Sequence, residues 1–210
     1  MTKVALFSGG DLSYFTREFD YFVGIDSGSL FLLENGLPLN MAVGDFDSVS
    51  QEAFTDIKEK AGLLITANPE KNDTDTELAL KAVFARFPEA EVTIFGAFGG
   101  RMDHLLSNIF LPSDPDIASF MSQVTLRDQQ NLLTYRPAGR HLIHQEEGMT
   151  YVAFMAEGEA DLTITGAKFE LTQANFFKKK IYSSNAFTQR PITVYLPSGY
   201  LIIIQSKDRS

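Results

Sequence analysis

Six short apolar runs recur through the first 126 residues: "KVALF", "YFVGI", "MAVG", "LLIT", "EVTIF" and "QVTL". Most of the gaps between them carry helical periodicity. The helix candidates are "SGSLFLLENG" closing on Gly36, "SQEAFTDIKEKAG" closing on Gly62, "TDTELALKAVFARF" stopped by Pro88, and "DHLLSNIFL". A strand that is apolar along its whole length is one buried on both faces, and strands of this kind alternating with helices predict a largely parallel sheet covered by helices. Ligands bind such sheets in the crevice beyond the carboxyl ends of the strands, so the loops there are where chemistry is expected.

After about residue 128 the rhythm is lost. "TYVAFMAEG", "ADLTITGAKFEL", "FFKKKIYSS", "PITVYL" and "YLIIIQS" are rich in β-branched and aromatic residues and are separated by Gly, Pro, Asn and Ser. This pattern predicts an antiparallel β-sandwich, with "LPSGY" as a late hairpin turn. The polar stretch "RDQQNLLTYRPAGRH", with Pro137 and Gly139, is expected to be the join. The expected architecture is an α/β N-terminal domain with a mostly parallel sheet, residues 1–127, followed by an all-β sandwich C-terminal domain, residues 128–210.

Composition narrows the chemistry. With no cysteine, disulfides, thiolate zinc sites and thiol nucleophiles are excluded, leaving Asp, Glu, His, Lys and Arg for acid-base or metal work. The chain has 18 basic and 27 acidic side chains, a formal charge of -9. A sequence-independent grip on phosphate backbones shows as a basic surface, so no nucleic-acid partner is expected. The "KKK" run at 178–180 reads as charge guarding a strand face or edge. No apolar run has the length of a bilayer span, and "MTKVALFSGGDL" lacks a signal-peptide layout, so the expectation is a cytoplasmic protein without a membrane partner.

Three polar loops follow different predicted strands. In "AVGDFDSVSQ", Asp45 and Asp47 can aim two carboxylates at one cation, and Mg²⁺ suits such hard oxygen ligands shared with phosphate; the alternative is helix capping by Asp47 or Ser48. In "PEKNDTDTELAL", Asp73, Thr74, Asp75 and Thr76 stand at a helix start with Lys71 close by. Capping explains one of these side chains, whereas a lysine beside carboxylates at a helix N-terminus suits a polyphosphate. In "FGAFGGRMDHLLSN", Gly96, Gly99 and Gly100 permit tight turning, Arg101 offers a planar fork for phosphate oxygens, and Asp103 and His104 open the next helix; the alternative is a glycine turn with an Asp cap. A cation grip, a lysine, an arginine and flexible glycines are what phosphoryl-type transfer from a metal-bound nucleotide needs. There is no G-x-x-x-x-G-K-[ST], and "FSGGD" after the first strand is only a glycine-turn signal.

The order of "DSG" (26–28), "GDFDS" (44–48), "EK..TD" (70–75), "GGRMDH" (99–104), Asn108 and "SSN" (183–185) resembles the thiamine pyrophosphokinase family over nearly the whole chain. The resemblance implies transfer of the diphosphate of ATP to the hydroxyl of thiamine, giving thiamine diphosphate and AMP. It implies a homodimer with sites at the subunit interface. It also makes Asp45, Asp47 and Asp75 the Mg²⁺ ligands, and places Lys71, Thr74, Arg101, Asp103 and His104 around ATP with Asp26 and Gly28 near the nucleotide. Ser184 and Asn185 would hold the thiamine pyrimidine. Against the family's K-D-x-T-D pattern this chain has Asn72 in second place and an extra acid, Asp73, ranked below Asp75 as a ligand. His141 and His144 are expected at the surface or in a strand. Phe176, Phe177 and Tyr182 are expected in the core or an interface. Two other readings remain: a nucleotide-sugar transferase, in which the D-x-D loop holds the metal, and a non-catalytic nucleotide-binding module whose β-domain senses a metabolite.

Overall fold

The structure is a computed structural model that describes residues 1–66 and 72–208. It divides into two compact units, Met1–Gln129 and Gln130–Ser210.

In the first unit, β1 (Lys3–Phe7), β2 (Tyr21–Ile25), β3 (Met41–Gly44), β4 (Leu64–Thr66), β5 (Glu91–Phe95) and β6 (Val124–Arg127) lie in the order β6-β5-β1-β2-β3-β4. Among the described residues, every pairing between them is parallel. Their apolar runs are long because both faces are covered: Val4 to Phe7 and Met41 to Val43 are fully buried. Helices α1 (Ser27–Glu34) and α2 (Gln51–Lys60) bring Leu32 and Ile57 onto the face carrying Ala5, Phe7, Phe22 and Phe95. The chain steps from β1 to β4 in one direction, then crosses back to β5 on the far side of β1 through α3 (Asp75–Arg86). A right-handed crossover in the reverse direction puts α3, which packs on β2 and β3, on the opposite face. The reversal leaves a crevice between the carboxyl ends of β1 and β5, flanked by α4 (Met102–Ile109); a short α5 (Pro115–Ala118) precedes β6. Among the described residues, no helix is long and apolar enough to cross a membrane.

The second unit is antiparallel: β7 (Asn131–Ile143), β8 (Tyr151–Glu157), β9 (Thr163–Thr165), β10 (Ile181–Ala186) and β11 (Ile192–Ser206). The strands run β10-β8-β11-β7, and β9 pairs with the first part of β11 and, through Ile164, bridges to Leu171. This sandwich-like arrangement encloses an apolar core that includes Phe154, Ile164, Val194 and Leu201.

Two expectations are corrected here. The supposed join at 127–141 is mostly β7: Leu132, Leu133 and Tyr135 are buried, and the strand pairs with β11 for almost its whole length. Pro137 is tolerated because it sits where the ladder is already irregular. "LPSGY" is not a hairpin turn but a bulge inside β11. Leu196 faces Gly139 and Tyr200 faces Pro137, so three residues of β11 oppose Ala138 alone. Gly199, at φ 81, lies so close to the Glu157 carbonyl that a Cβ would meet it at 1.8 Å. A bulge of this kind bends the strand instead of reversing it. The lysine run precedes β10, which begins at Ile181; Lys178 pairs with Glu159 at 3.5 Å and Lys180 with Glu157.

Candidate active site

The crevice predicted by the strand order holds a cavity of about 490 Å³. Its floor is a backbone seam between the ends of β1 and β5, in which Ser8 N–H donates to the Phe95 carbonyl (2.9 Å) and Gly10 N–H to the Gly96 carbonyl (3.0 Å). The SGG stretch, read from sequence only as a turn, is therefore part of the site, with Ser8, Gly9 and Gly10 all lining it. Its position directly after the first strand was the available signal. Ser48, Ser107 and Asn108 also line the cavity; the buried Asn108 donates from Nδ2 to the Ala97 carbonyl at 3.0 Å.

Asp26 ends β2 and stands ahead of α1 at φ 48, a left-handed conformation uncommon for a non-glycine residue. Its Oδ1 accepts from Phe46 N–H at 3.3 Å, linking the β2 loop to the β3 loop. Gly44 allows this approach: at φ 149, a Cβ there would lie 1.8 Å from Asp26 Oδ1. Burial, followed by the charge of Asp75 and then, after the opposing Phe46 hydrogen bond, that of Asp45, pushes the Asp26 carboxyl up to about 7; Asp26 and Asp75 also share a hydrogen bond. Acidic side chains from three loops thus act on one another: Asp26 and Asp75 line the cavity, and Asp45, outside its lining, is near enough to raise Asp26. A cation placed among them would relieve their mutual repulsion, and hard oxygen donors in this number suit Mg²⁺.

The other residues singled out from sequence are placed as follows. Asp45 and Asp47 follow β3 and are exposed; Asp47 N–H donates to Asp45 Oδ1 at 3.1 Å, a local turn. Asp45 is near enough to act on Asp26, but neither Asp45 nor Asp47 lines the cavity. Gly28 lies in the first turn of α1, against the Phe7 carbonyl. Thr74 caps α3 in a reciprocal capping box, its hydroxyl accepting from Glu77 N–H (3.2 Å) and its own N–H donating to Glu77 Oε2 (2.7 Å). Thr74→Ala is expected to cost about 1 kcal/mol in thermal or denaturant unfolding; an unchanged midpoint would remove the capping role. Asp75 is the first residue of α3 and lines the cavity. Lys71 lies outside the described residues.

Arg101 immediately precedes α4, and His104 is in its first turn; both line the cavity. Asp103 receives two bonds from the Arg101 guanidinium, at 3.1 and 2.5 Å. This pairing pulls the Asp103 carboxyl down to about 2 and raises Arg101. The N-terminal ends of α1, α3 and α4 thus meet at one crevice. Neither α1 nor α4 has a side-chain cap, and such helix ends present N–H groups and positive dipole to an anion.

Ser184 and Asn185 belong to the second unit, where they line a cavity of about 790 Å³ with Phe169, Phe177 and Tyr182. The β10–β8 register shifts between Tyr182 and Asn185, and the exposed Ser184 adopts φ 59. Asn185 is buried, and its amide is spent on backbone: Oδ1 accepts from Phe169 N–H (2.9 Å), while Nδ2 donates to the Phe169 carbonyl (2.7 Å). Phe176 and Tyr182 pack against the core of this unit, but Phe177 is exposed beside Tyr182. His141 Nε2 lies 2.7 Å from the Pro137 carbonyl, on β7, and His144 is exposed.

Comparison with known proteins agrees with this two-part layout. Residues 12–118 match the family model described as thiamin pyrophosphokinase, catalytic domain, and residues 140–201 match thiamin pyrophosphokinase, vitamin B1 binding domain. A thiamine pyrophosphokinase of Bacillus subtilis (strain 168) is 31% identical over 217 residues, covering 99% of this chain and all of the relative. Among solved structures, a thiamin pyrophosphokinase family protein from Enterococcus faecalis superposes with a TM-score of 0.92 at 41% identity, covering 99% of this chain and 100% of that one. The thiamin pyrophosphokinase of Geobacillus thermodenitrificans gives 0.80 at 28% identity, with 99% of each chain covered. With catalytic and vitamin-binding segments in order and a full-length relative at 31% identity, this chain belongs to the thiamine pyrophosphokinase family.

Proposed function

We propose that the crevice at the ends of β1 and β5 binds ATP with Mg²⁺ and that the cavity of the second unit receives thiamine, the enzyme moving a diphosphate from ATP to the thiamine hydroxyl with release of AMP. The observation that carries this assignment of sites is the meeting of Asp26 and Asp75 in the crevice, with Asp45 near enough to act on Asp26, beside three helix N-termini. In this reading Asp45, Asp47 and Asp75 hold the metal, with Asp26 completing the carboxylate group. Bound there, Mg²⁺ neutralises charge on the phosphate chain and helps align it for in-line displacement.

The chain's own residues contribute position and charge. Arg101 exchanges part of its pairing with Asp103 for phosphate oxygens, and the first N–H groups of α4 bind the same anion. Lys71 adds a second cation to the phosphate chain, and Thr74 and His104 border the nucleotide. Gly28 and Gly44 keep backbone and carboxylate close enough for the loops to meet. In the second unit, Ser184 contacts the pyrimidine from its bulge, and Asn185 serves by holding Phe169 in place. The proposal includes a homodimer with its sites at the subunit interface, acting in the cytoplasm, where ATP is available. No observation favours a nucleotide-sugar transferase or a sensing module.

The test is product formation from purified protein with ATP, Mg²⁺ and thiamine. AMP and thiamine diphosphate should appear in equal amounts, and EDTA should suppress both. Unchanged activity in EDTA would overturn the metal assignment; ATP consumption without thiamine diphosphate would overturn the acceptor.

A further inference from the structure

We propose that Lys81 is a positioning residue for the metal: its ammonium clasps Asp73 to Asp114 and so fixes the turn that presents Asp75 to the carboxylate group. The inference rests on the metal reading above and extends it to a residue away from the crevice lining.

Asp73, Glu77 and Asp114 place carboxylate oxygens within 4.8 Å of one another, an arrangement that by itself resembles a cation site. The cation there is Lys81. Its Nζ lies 3.1 Å from each oxygen of Asp73, 2.8 Å from Asp114 Oδ2 and 3.2 Å from Asp116 Oδ2. An ammonium has three donors, and three carboxylates take them. The lysine and Asp114 side chains are only 23% and 13% exposed, so solvent screens this group less than an ordinary surface pair.

The placement of the clasp gives it a role. Lys81 lies in the body of α3, while Asp73 lies two residues before Asp75, in the turn leading into that helix. The Lys81–Asp73 contact folds the turn back along its own helix. Asp114 in turn accepts from Asp116 N–H at 2.8 Å and caps α5, so the turn is moored to a second element. Both oxygens of Asp73 are committed to Lys81, which leaves Asp75 as the acid of this turn that reaches Asp26.

The direction of the effect separates this role from plain electrostatics. Removing a positive charge near a cluster of carboxylates should tighten cation binding by Coulomb's law. Loss of the clasp should weaken it, because Asp73 and Asp114 then repel and the turn carrying Asp75 loses its mooring. The experiment titrates Mn²⁺ into the purified full-length protein and follows free Mn²⁺ by electron paramagnetic resonance, with thermal melts on every variant. Lys81→Met and Asp73→Asn should each bind Mn²⁺ about tenfold more weakly than wild type, and Lys81→Arg should recover part of the loss. Wild-type or tighter binding in Lys81→Met overturns the proposal. If Lys81→Met fails to fold, Lys81→Gln, which removes the same charge but keeps an amide donor for Asp73 and Asp114, decides with the same expected direction; Asp73→Asn removes a negative charge and should weaken binding on either account. Asp75→Asn is the control for the underlying reading: if it binds Mn²⁺ as wild type does, the metal assignment falls and the clasp's role with it.

Discussion

Asp75→Asn is expected to lower kcat/KM for diphosphoryl transfer by about a thousandfold while leaving the folded structure intact. The substitution changes charge and little else. Asparagine has nearly the shape of aspartate, and α3 keeps its start because the cap is Thr74 and its partner is Glu77. The loss of one acid in the first turn costs only about 0.5 kcal/mol through the helix dipole. It also removes the charge that, after burial, does most to raise the Asp26 carboxyl, so the metal-free variant should be no less stable than wild type. Asp45→Asn should behave in the same way. Its Oδ1 can still accept from Asp47 N–H, and the turn after β3 is retained. Activity and melting temperature measured on the same preparations decide the matter. Loss of activity with an unchanged melt supports metal-ligand roles, and near-normal turnover in both variants would sink them.

What the sequence revealed and what it hid follow from the range of the forces involved. The parallel sheet was legible because a strand covered on both faces must be apolar throughout, and "KVALF" or "MAVG" admits few other fates. The D-x-D, T-D and G-G-R-x-D-H loops were legible because each combines charge with a local turn or cap. The SGG loop was undervalued because its importance comes from pairing with the end of β5, almost ninety positions away (Gly96 against Gly10), and no local pattern records that neighbour. Asp26 stood out only through "DSG". Its crowding with Asp45 and Asp75 depends on β2, β3 and α3 lying side by side. β7 was misjudged because Pro137 and Gly139 look like breakers, yet both fall at the β11 bulge, where a strand can carry them. Asn185 illustrates the limit of a motif. The letters of "SSN" are those of a ligand-binding turn, but the amide is turned inward to bracket Phe169.

The second large effect concerns Gly28, whose role is steric. Gly28→Ala is expected to destabilise the protein by about 3 kcal/mol, because the added methyl has nowhere to go. Its Cβ would stand 1.9 Å from the Phe7 carbonyl oxygen and 2.6 Å from the carbonyl carbon, both backbone atoms at the end of β1. Relief requires α1 to lift from the sheet. Asp26, two residues upstream, would move with it and break the contact that joins the β2 and β3 loops. The melting temperature should therefore fall by roughly 10 °C, and activity at a permissive temperature should fall with it. Gly36→Ala provides the comparison: nothing lies within 4 Å of its Cβ, so only its φ of +63 opposes substitution. That variant should lose about 1 kcal/mol and keep its kcat. The two glycines differ in what surrounds them, so the contrast tests whether close docking of α1 on β1 holds Asp26 in the site. A Gly28→Ala protein that melts and turns over like wild type would show that α1 does not need to sit so close.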